Sequence, residues 1–180
     1  MKRALLILIL SAFIGFNCFA QLSDKGSKFN LGLETAIPFG KNSIGFKTGI
    51  GGSLKYEYRA DSNFYLTISA GYISFPLTDA AKQELIEAGF PTKSAFGYIP
   101  IKIGGKFFIV KGLFGELQLG NAFGTNINRS DSASASIFTF SPGIGYAFNK
   151  GFELGARYEG WFTNGLLDQY VFRLAYRFKL

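Results

Sequence analysis

The side chains with the clearest potential for chemistry are charged residues that lie on alternating positions of short, otherwise apolar segments. They comprise five glutamates and seven cations: Glu34, Glu57, Glu116, Glu153, Glu159, Lys47, Lys55, Lys102, Lys106, Arg157, Arg173 and Arg177. Alternate residues of a β-strand point to the same face of a sheet. We interpret these side chains as an ion-pair network that fills the interior of a small barrel. The alternative is a narrow path for anions through a cation-rich interior.

Two contacts within this network follow from the order of the strands. Closure of a barrel places the first and last strands side by side, so Glu34 is expected to reach Arg173 or Arg177. Glu116 is expected to lie one strand away from the two lysines of the fourth strand.

Catalytic chemistry has little support in the composition. The chain has no His and one Cys, so the usual base for a serine nucleophile is absent. Glu153 and Glu159 could form a carboxylate pair, but ion pairing explains both. A transition-metal site lacks its usual ligands, and no segment resembles a calcium loop, although Asp131 leaves calcium open as an alternative. We predict no enzyme activity, no cofactor and no metal.

The composition favours an all-β chain. Among 180 residues there are 21 Phe, 9 Tyr and 23 Gly, which is typical of sheets with tight turns. The formal net charge is +7, but the basic residues are dispersed, so nucleic-acid binding is not predicted. Beyond the N-terminus no run approaches the roughly 20 apolar residues of a spanning helix. In lipid such a chain would have to form a closed barrel.

The N-terminal residues 1–20 have the pattern of a secretory signal peptide. Lys2 and Arg3 provide the charged start, residues 4–16 the apolar segment, and residues 18–20 a small-x-small cleavage site. The barrel domain is then expected to span residues 21–180. A membrane-anchoring helix and a lipoprotein acylated at Cys18 are the alternatives.

Eight amphipathic segments with the two-residue period of β-strands follow. They span residues 28–37, 44–58, 63–73, 96–110, 113–123, 137–148, 152–161 and 170–180. Short connections follow the second, fourth and sixth segments, and mostly longer ones follow the others, as in outer-membrane barrels. We predict an all-β fold, namely an eight-stranded antiparallel up-and-down transmembrane β-barrel.

The last segment shows which face meets lipid. One of its faces is apolar or aromatic, and the other carries Arg173, Arg177 and Lys179. The interior of an eight-stranded barrel is only just wide enough for side chains, so the many large rings are predicted to face lipid. Trp161 and Phe162 are expected to join an aromatic girdle at the interface. Glycines recur on the charged face, where long side chains need room: Gly45, Gly49, Gly51, Gly71, Gly104, Gly120, Gly143, Gly145 and Gly155.

The connection between the third and fourth segments contains a helix signal. Thr78 or Asp79 can cap a short helix, and Gly89 can end it. This helix is expected in the second outer loop, either as a lid at the rim or as a docking surface outside the cell.

Two stretches resemble a known family. Ile99–Ile109 reads IPIKIGGKFFI and Gly112–Gly120 reads GLFGELQLG, and both are similar to the PorT-like outer-membrane β-barrel domain family of Gram-negative bacteria. The ending YRFKL resembles the last strand of that family. The resemblance implies an eight-stranded membrane barrel and carries over no catalytic residues.

These observations together predict an integral protein of the cell outer membrane with a plugged lumen and a structural or interaction role through its outer loops. The expected partners are membrane lipid, lipopolysaccharide and, during insertion, the barrel-assembly machinery, with an extracellular partner unspecified. The alternatives are a narrow pore or secretion-machinery component, and a secreted soluble ligand-binding barrel.

Overall fold

The eight predicted strands form a closed antiparallel barrel in which each strand pairs with its neighbours in the chain. The computed structural model describes residues 26–40, 45–89, 94–125, 136–162 and 167–179, so the expected signal peptide lies outside the described residues. The elements are β1 (Lys28–Phe39), β2 (Gly49–Arg59), β3 (Phe64–Pro76), α1 (Asp79–Glu87), β4 (Ala95–Phe108), β5 (Leu113–Gly124), β6 (Ser136–Ala147), β7 (Phe152–Phe162) and β8 (Leu167–Lys179). Across these described ranges no helix has the length and apolar character needed to cross a membrane.

Closure is made by β1 and β8, which pair along their whole length. Their register sets Leu33 opposite Leu174 and Glu34 opposite Arg173. Because the side chains of a strand alternate between faces, this register pairs apolar side chains with apolar ones and charged side chains with charged ones across the seam. Apolar side chains meet outside, and charged side chains meet inside.

The two faces of the barrel wall are assigned as the sequence predicts. On β8 the Phe172 ring is 50 % exposed, whereas the neighbouring Arg173 is only 6 % exposed. The same alternation runs along β1, where Leu33 is exposed and Glu34 is buried. The protein is therefore apolar outside and charged inside, which suits a wall that meets hydrocarbon.

The two ends of the barrel differ in their connections. Short turns 60–63, 109–112 and 148–151 lie at one end, and connections 40–48, 77–94 and 125–135 lie at the other. The connection 163–166 is as short as the turns. Short turns face the periplasm in outer-membrane barrels, so we call the turn end periplasmic and the opposite end, which carries α1, outer.

Some inward-facing glycines make room for large side chains, as expected. A Cβ at Gly32 would lie 2.7 Å from the guanidinium carbon of Arg173, and a Cβ at Gly143 would lie 2.7 Å from the Cβ of Arg157. At Gly51, Gly104 and Gly120 a Cβ would instead lie within 2.2 Å of a backbone carbonyl oxygen of the neighbouring strand. Gly45 is an exception to the expectation, because it precedes β2 and lies beside Ala81 near the start of α1.

Aromatic rings close the outer end of the lumen. This outer aromatic cap consists of Phe46, Phe75, Tyr98 and Trp161, with ring centroids 4.8 Å apart for Tyr98 and Trp161 and 5.9 Å apart for Phe75 and Trp161. Phe46 packs edge-on against Phe75 at 6.2 Å. The Trp161 side chain is 1 % exposed.

The positions of Phe46 and Trp161 correct two expectations. Trp161 was expected in the interfacial girdle. It lies two residues after Glu159 on β7, so both side chains are on the same face of the strand and point inside. Phe162 does face outward and is 49 % exposed. Phe46 falls within the second predicted segment, 44–58, and its ring was therefore expected to face lipid with the other large rings. That strand begins only at Gly49, so Phe46 lies in the preceding connection and folds over the lumen.

A second group of rings lies near the periplasmic end. The inner aromatic cap consists of Tyr65, Phe108 and Phe114, with Phe108 centred 5.6 Å from each of the other two rings. The Lys106 Nζ lies 3.9 Å from the centroid of the Phe114 ring, a cation–π contact. Rings therefore lie at both ends of the lumen, with charged side chains between them.

The burial of Trp161 can be tested by fluorescence, because it is the single tryptophan of the chain. In vesicles with chain-brominated lipids, we expect little quenching of Trp161, since the barrel wall separates its ring from the acyl chains. The matched control is the double variant Trp161→Phe and Phe162→Trp, which moves the indole to the lipid face and should be strongly quenched. Strong quenching of the wild type would contradict the inward placement.

Candidate functional site

The lumen between the two aromatic caps is one of two candidate sites. At its centre Lys106 on β4 bridges two carboxylates, with Nζ 2.6 Å from Glu57 Oε1 on β2 and 2.5 Å from Glu153 Oε2 on β7. Lys106 and Glu57 are completely buried. The ammonium group thus joins strands from opposite parts of the wall.

Towards the outer cap, a second cluster surrounds Glu159. Its Oε2 accepts hydrogen bonds from Lys102 Nζ at 2.6 Å and from Arg157 Nε at 2.8 Å. Its Oε1 accepts a hydrogen bond from Trp161 Nε1 at 2.8 Å, which ties the network to the outer cap. Arg157 also donates to Glu34 Oε2 at 2.6 Å and so extends the cluster to β1.

Arg173 on β8 connects the seam of the barrel to the centre of the network. Its Nε lies 3.4 Å from Glu34 Oε1 and donates to Ser53 Oγ at 3.0 Å. Its Nη1 lies 3.6 Å from Glu153 Oε1. Arg177 lies nearer the periplasmic end, with Nε 3.6 Å from Glu153 Oε2. Of the two arginines expected to reach Glu34, Arg173 does so.

Glu116 lies one strand away from the two lysines of β4, as expected, but it pairs with neither of them. It lies opposite Lys106 in the register of β4 and β5, but its ion pair is with Lys55 on β2, whose Nζ is 2.6 Å from Glu116 Oε2. The carboxylate reaches across the lumen because Lys106 is already held between two other glutamates.

Lys47 is the predicted lumen residue that the structure places elsewhere. It was assigned to the second strand, but that strand begins at Gly49, and Lys47 lies in the first outer connection. Its side chain is 48 % exposed, and its Nζ lies 3.2 Å from Asp79 Oδ2 at the start of α1. The alternation of faces that places Lys55 inside does not extend to residues outside the ladder.

The remaining network leaves almost no open space. Five carboxylates face six cations, namely Lys55, Lys102, Lys106, Arg157, Arg173 and Arg177, within the described lumen. A cavity bordered by Glu34, Lys55, Lys102 and Arg157 measures about 10 Å³, roughly one water position. Charges removed from water are tolerated only when they are paired and hydrogen-bonded, and this pairing accounts for the arrangement.

The second candidate site is the outer-loop platform, which we define as residues 45–48 and 77–89. A backbone hydrogen bond from Thr78 N to Gly45 O at 3.0 Å joins its two parts, and another from Lys47 N to Pro76 O at 2.8 Å joins the first part to the end of β3. Phe46 and Leu77 form a β-bridge. The two loops are therefore fixed to each other and to the outer cap.

Helix α1 begins within this platform, as the sequence predicts. Thr78 is its N-cap, and the Thr78 Oγ1 accepts a hydrogen bond from Ala81 N at 3.3 Å. Hydrogen bonds from Lys47 and then from Lys82 hold the pKa of Asp79 below its usual range. Asp79 therefore stays ionised, and its contacts with both lysines hold, until the pH falls through that lowered value.

Neither candidate site has the group of ligand side chains that a metal centre needs. Within the described ranges there is no group of three or more His, Cys, Asp or Glu residues that could hold an ion. Asp131, considered as a calcium ligand, lies outside the described residues. The lumen carboxylates are instead bound to lysine and arginine.

Comparison with known families settles what kind of protein this is. The family model described as "Outer membrane protein beta-barrel domain" matches residues 6–178. The chain belongs to this family. The family and the outward apolar face together place the protein in the outer membrane, and they overturn the alternative of a secreted soluble carrier.

Solved structures with the same architecture agree with this assignment. Ail of Yersinia pestis in a phospholipid nanodisc is 18% identical with a TM-score of 0.57, and the match covers 86% of this chain and 100% of Ail. The N-terminal barrel domain of Pseudomonas aeruginosa OprF is 16% identical with a TM-score of 0.53, covering 84% of this chain and 97% of that one. A de novo designed transmembrane β-barrel is 12% identical with a TM-score of 0.53, covering 87% and 99%. At these identities the likeness shows the fold. No curated protein matches the chain.

Sequence reasoning missed the rings of the outer cap and the role of Asp79. Trp161 is separated from Glu153 and Glu159 by an even number of residues, so all three share one face of the strand. This spacing is visible in the sequence and would have placed the indole inside. The contact of Lys47 with Asp79 joins residues 32 positions apart in two loops, and no periodic pattern predicts it.

Removal of the Lys106 ammonium tests the lumen network. The variant Lys106→Met leaves Glu57 and Glu153 buried without their shared cation. We expect the free energy of unfolding, measured with urea in lipid vesicles, to fall by about 3–5 kcal/mol. The partly exposed Lys82→Gln on α1 is the control and should change it by less than about 0.5 kcal/mol. An unchanged unfolding free energy for Lys106→Met would show that the network does not hold the barrel together.

Proposed function

We propose that this protein is a closed outer-membrane anchor that presents the outer-loop platform to a protein partner outside the cell. The observation that carries the proposal is the mutual fixation of two outer loops by a backbone hydrogen bond and by the Lys47–Asp79 ion pair. A surface that is ordered before contact loses less conformational entropy on binding. Fixed loops on a sealed barrel thus favour docking over transport.

The lumen supports an anchor more than a channel. The outer cap, the ion-pair network and the inner cap follow one another along the barrel axis. The cavity of about 10 Å³ within the network is far too small for a continuous water column.

The surface of α1 suits a protein partner. None of its residues is buried, and Ile86 is 58 % exposed among charged neighbours. Asp79, Glu84 and Glu87 outnumber the one helix lysine, Lys82, so this surface does not favour a polyanion. In contrast, Ail, called the attachment invasion locus protein, has been solved with the heparin analogue sucrose octasulfate. That structure offers a precedent for ligand binding by a small barrel, but the ligand class proposed here differs.

Site-specific photo-crosslinking in intact cells tests the platform. A photoreactive residue at Ile86 is expected to give protein adducts, because this side chain is exposed on a helix at the outer end of the barrel. The matched control is Val110, which is 60 % exposed in a periplasmic turn and should give none. Adducts at Val110 alone would contradict the proposal and favour a periplasmic partner.

The second candidate function is a narrow pore or a secretion-machinery component. The resemblance of Ile99–Ile109 to PorT-like barrels favours it, and adducts at Val110 would support the secretion role. Lipopolysaccharide and the barrel-assembly machinery are further proposed contacts that follow from residence in the outer membrane.

Planar-bilayer recording tests the pore. We expect no steady current at moderate voltage, because both caps and the network block the lumen. A water-filled porin in the same bilayer serves as the positive control. A reproducible unitary conductance that persists after repurification would contradict the sealed-barrel proposal.

A further inference from the structure

The periplasmic end carries a wide, cationic depression that neither the anchor nor the platform uses. We call it the periplasmic vestibule. Its volume is about 830 Å³, and the positively charged residues that line it are Lys28, Lys111, Lys150, Arg177 and Lys179. None of the described residues that line it is acidic. A cavity lined by one sign of charge concentrates ligands of the opposite sign.

Three of these cations have their charge free for a ligand. Lys111, Lys150 and Lys179 are exposed and form no ion pair with any described residue. Lys28 contacts the Tyr65 ring, with Nζ 4.6 Å from the centroid. Arg177 donates to Phe148 O at 3.0 Å and lies 3.6 Å from Glu153.

The acidic groups near the vestibule do not cancel its charge. Glu57 and Glu153 are buried in ion pairs with Lys106. Asp61 lies in the neighbouring turn 60–63, where its Oδ1 accepts a hydrogen bond from Ser62 N at 2.7 Å. The rim therefore keeps an excess of positive charge.

Aromatic rings of the lipid face reach the same rim. Phe148, Tyr176 and Phe178 line the vestibule and are exposed on the outside of the wall. Tyr176 and Phe178 pack together with centroids 4.9 Å apart, as do Tyr146 and Phe148. Aromatic belts mark the level of the membrane–water interface. The cations next to these rings therefore lie at the level of lipid head groups.

We propose that the periplasmic vestibule binds the phosphate head group of an anionic phospholipid from the periplasmic leaflet. Lysines at the rim contact the phosphate, and the neighbouring rings contact the glycerol and upper acyl chains. Basic pockets at membrane surfaces recognise anionic head groups in this way. A soluble phosphate would use the same cations but would gain nothing from the rings. The proposal is independent of the outer-loop platform, which lies at the opposite end.

Lipid retention by the refolded full-length barrel tests the proposal. The protein in zwitterionic micelles is titrated with phosphatidylglycerol or phosphatidylcholine, and bound lipid is counted by native mass spectrometry. We expect phosphatidylglycerol to be retained preferentially, with each of Lys111→Gln, Lys150→Gln and Lys179→Gln weakening its retention about fivefold and the triple variant more. The control is Arg59→Gln, which removes one charge at the same end from a side chain that does not line the vestibule.

The possible results separate the sources of the anion. A shift in gel mobility on boiling confirms that each variant is folded. Equal retention of the two lipids would overturn the proposal, as would an equal loss in Arg59→Gln. Inorganic phosphate alone, or a glutamate-rich peptide, that binds as strongly as the lipid would overturn the assignment to a phospholipid head group.

Discussion

The structure depends on one constraint, which is that a sheet in lipid must satisfy all of its backbone hydrogen bonds by closing on itself. With eight strands, closure leaves an interior that side chains fill. Every charge on the inner face must then find an opposite charge, because too little water is present to solvate it. The register of the β1–β8 seam follows from the same constraint. A slip of one residue would turn Arg173 towards lipid, at about 2–4 kcal/mol for each such cation near the midplane.

The outer aromatic cap, the ion-pair network and the inner aromatic cap form three layers in the lumen, and these layers separate the two ends of the barrel. The outer cap is held to the network by the Trp161–Glu159 hydrogen bond, and the inner cap is held to it by the contact of Lys106 with Phe114. Gly32 leaves room for the Arg173 guanidinium to lie next to the wall. Because paired charges fill the middle layer, the outer loops and the periplasmic rim can meet different surroundings without sharing a solvent path.

The sequence predicts the features that follow from the two-residue period of a strand or from a capping signal. It does not predict the features that depend on where the pairing between strands ends. Strand number, the outward rings of β8, the inward arginine at position 173 and helix α1 all follow from alternation or capping signals. Lys47 was misplaced because apolar and glycine residues continue the alternating pattern before Gly49, where the ladder with β1 has already ended. The partner of Glu116 could not be inferred, because ion pairs across a lumen depend on three-dimensional distance and not on strand neighbourhood.

Arg173 lies on the closing strand yet is shared between Glu34 on β1 and Glu153 on β7. In a sheet whose first and last strands had not yet met, Glu34 would lack this cation and the interior would still be open to water. Dehydration of the charges and joining of the seam are therefore one event.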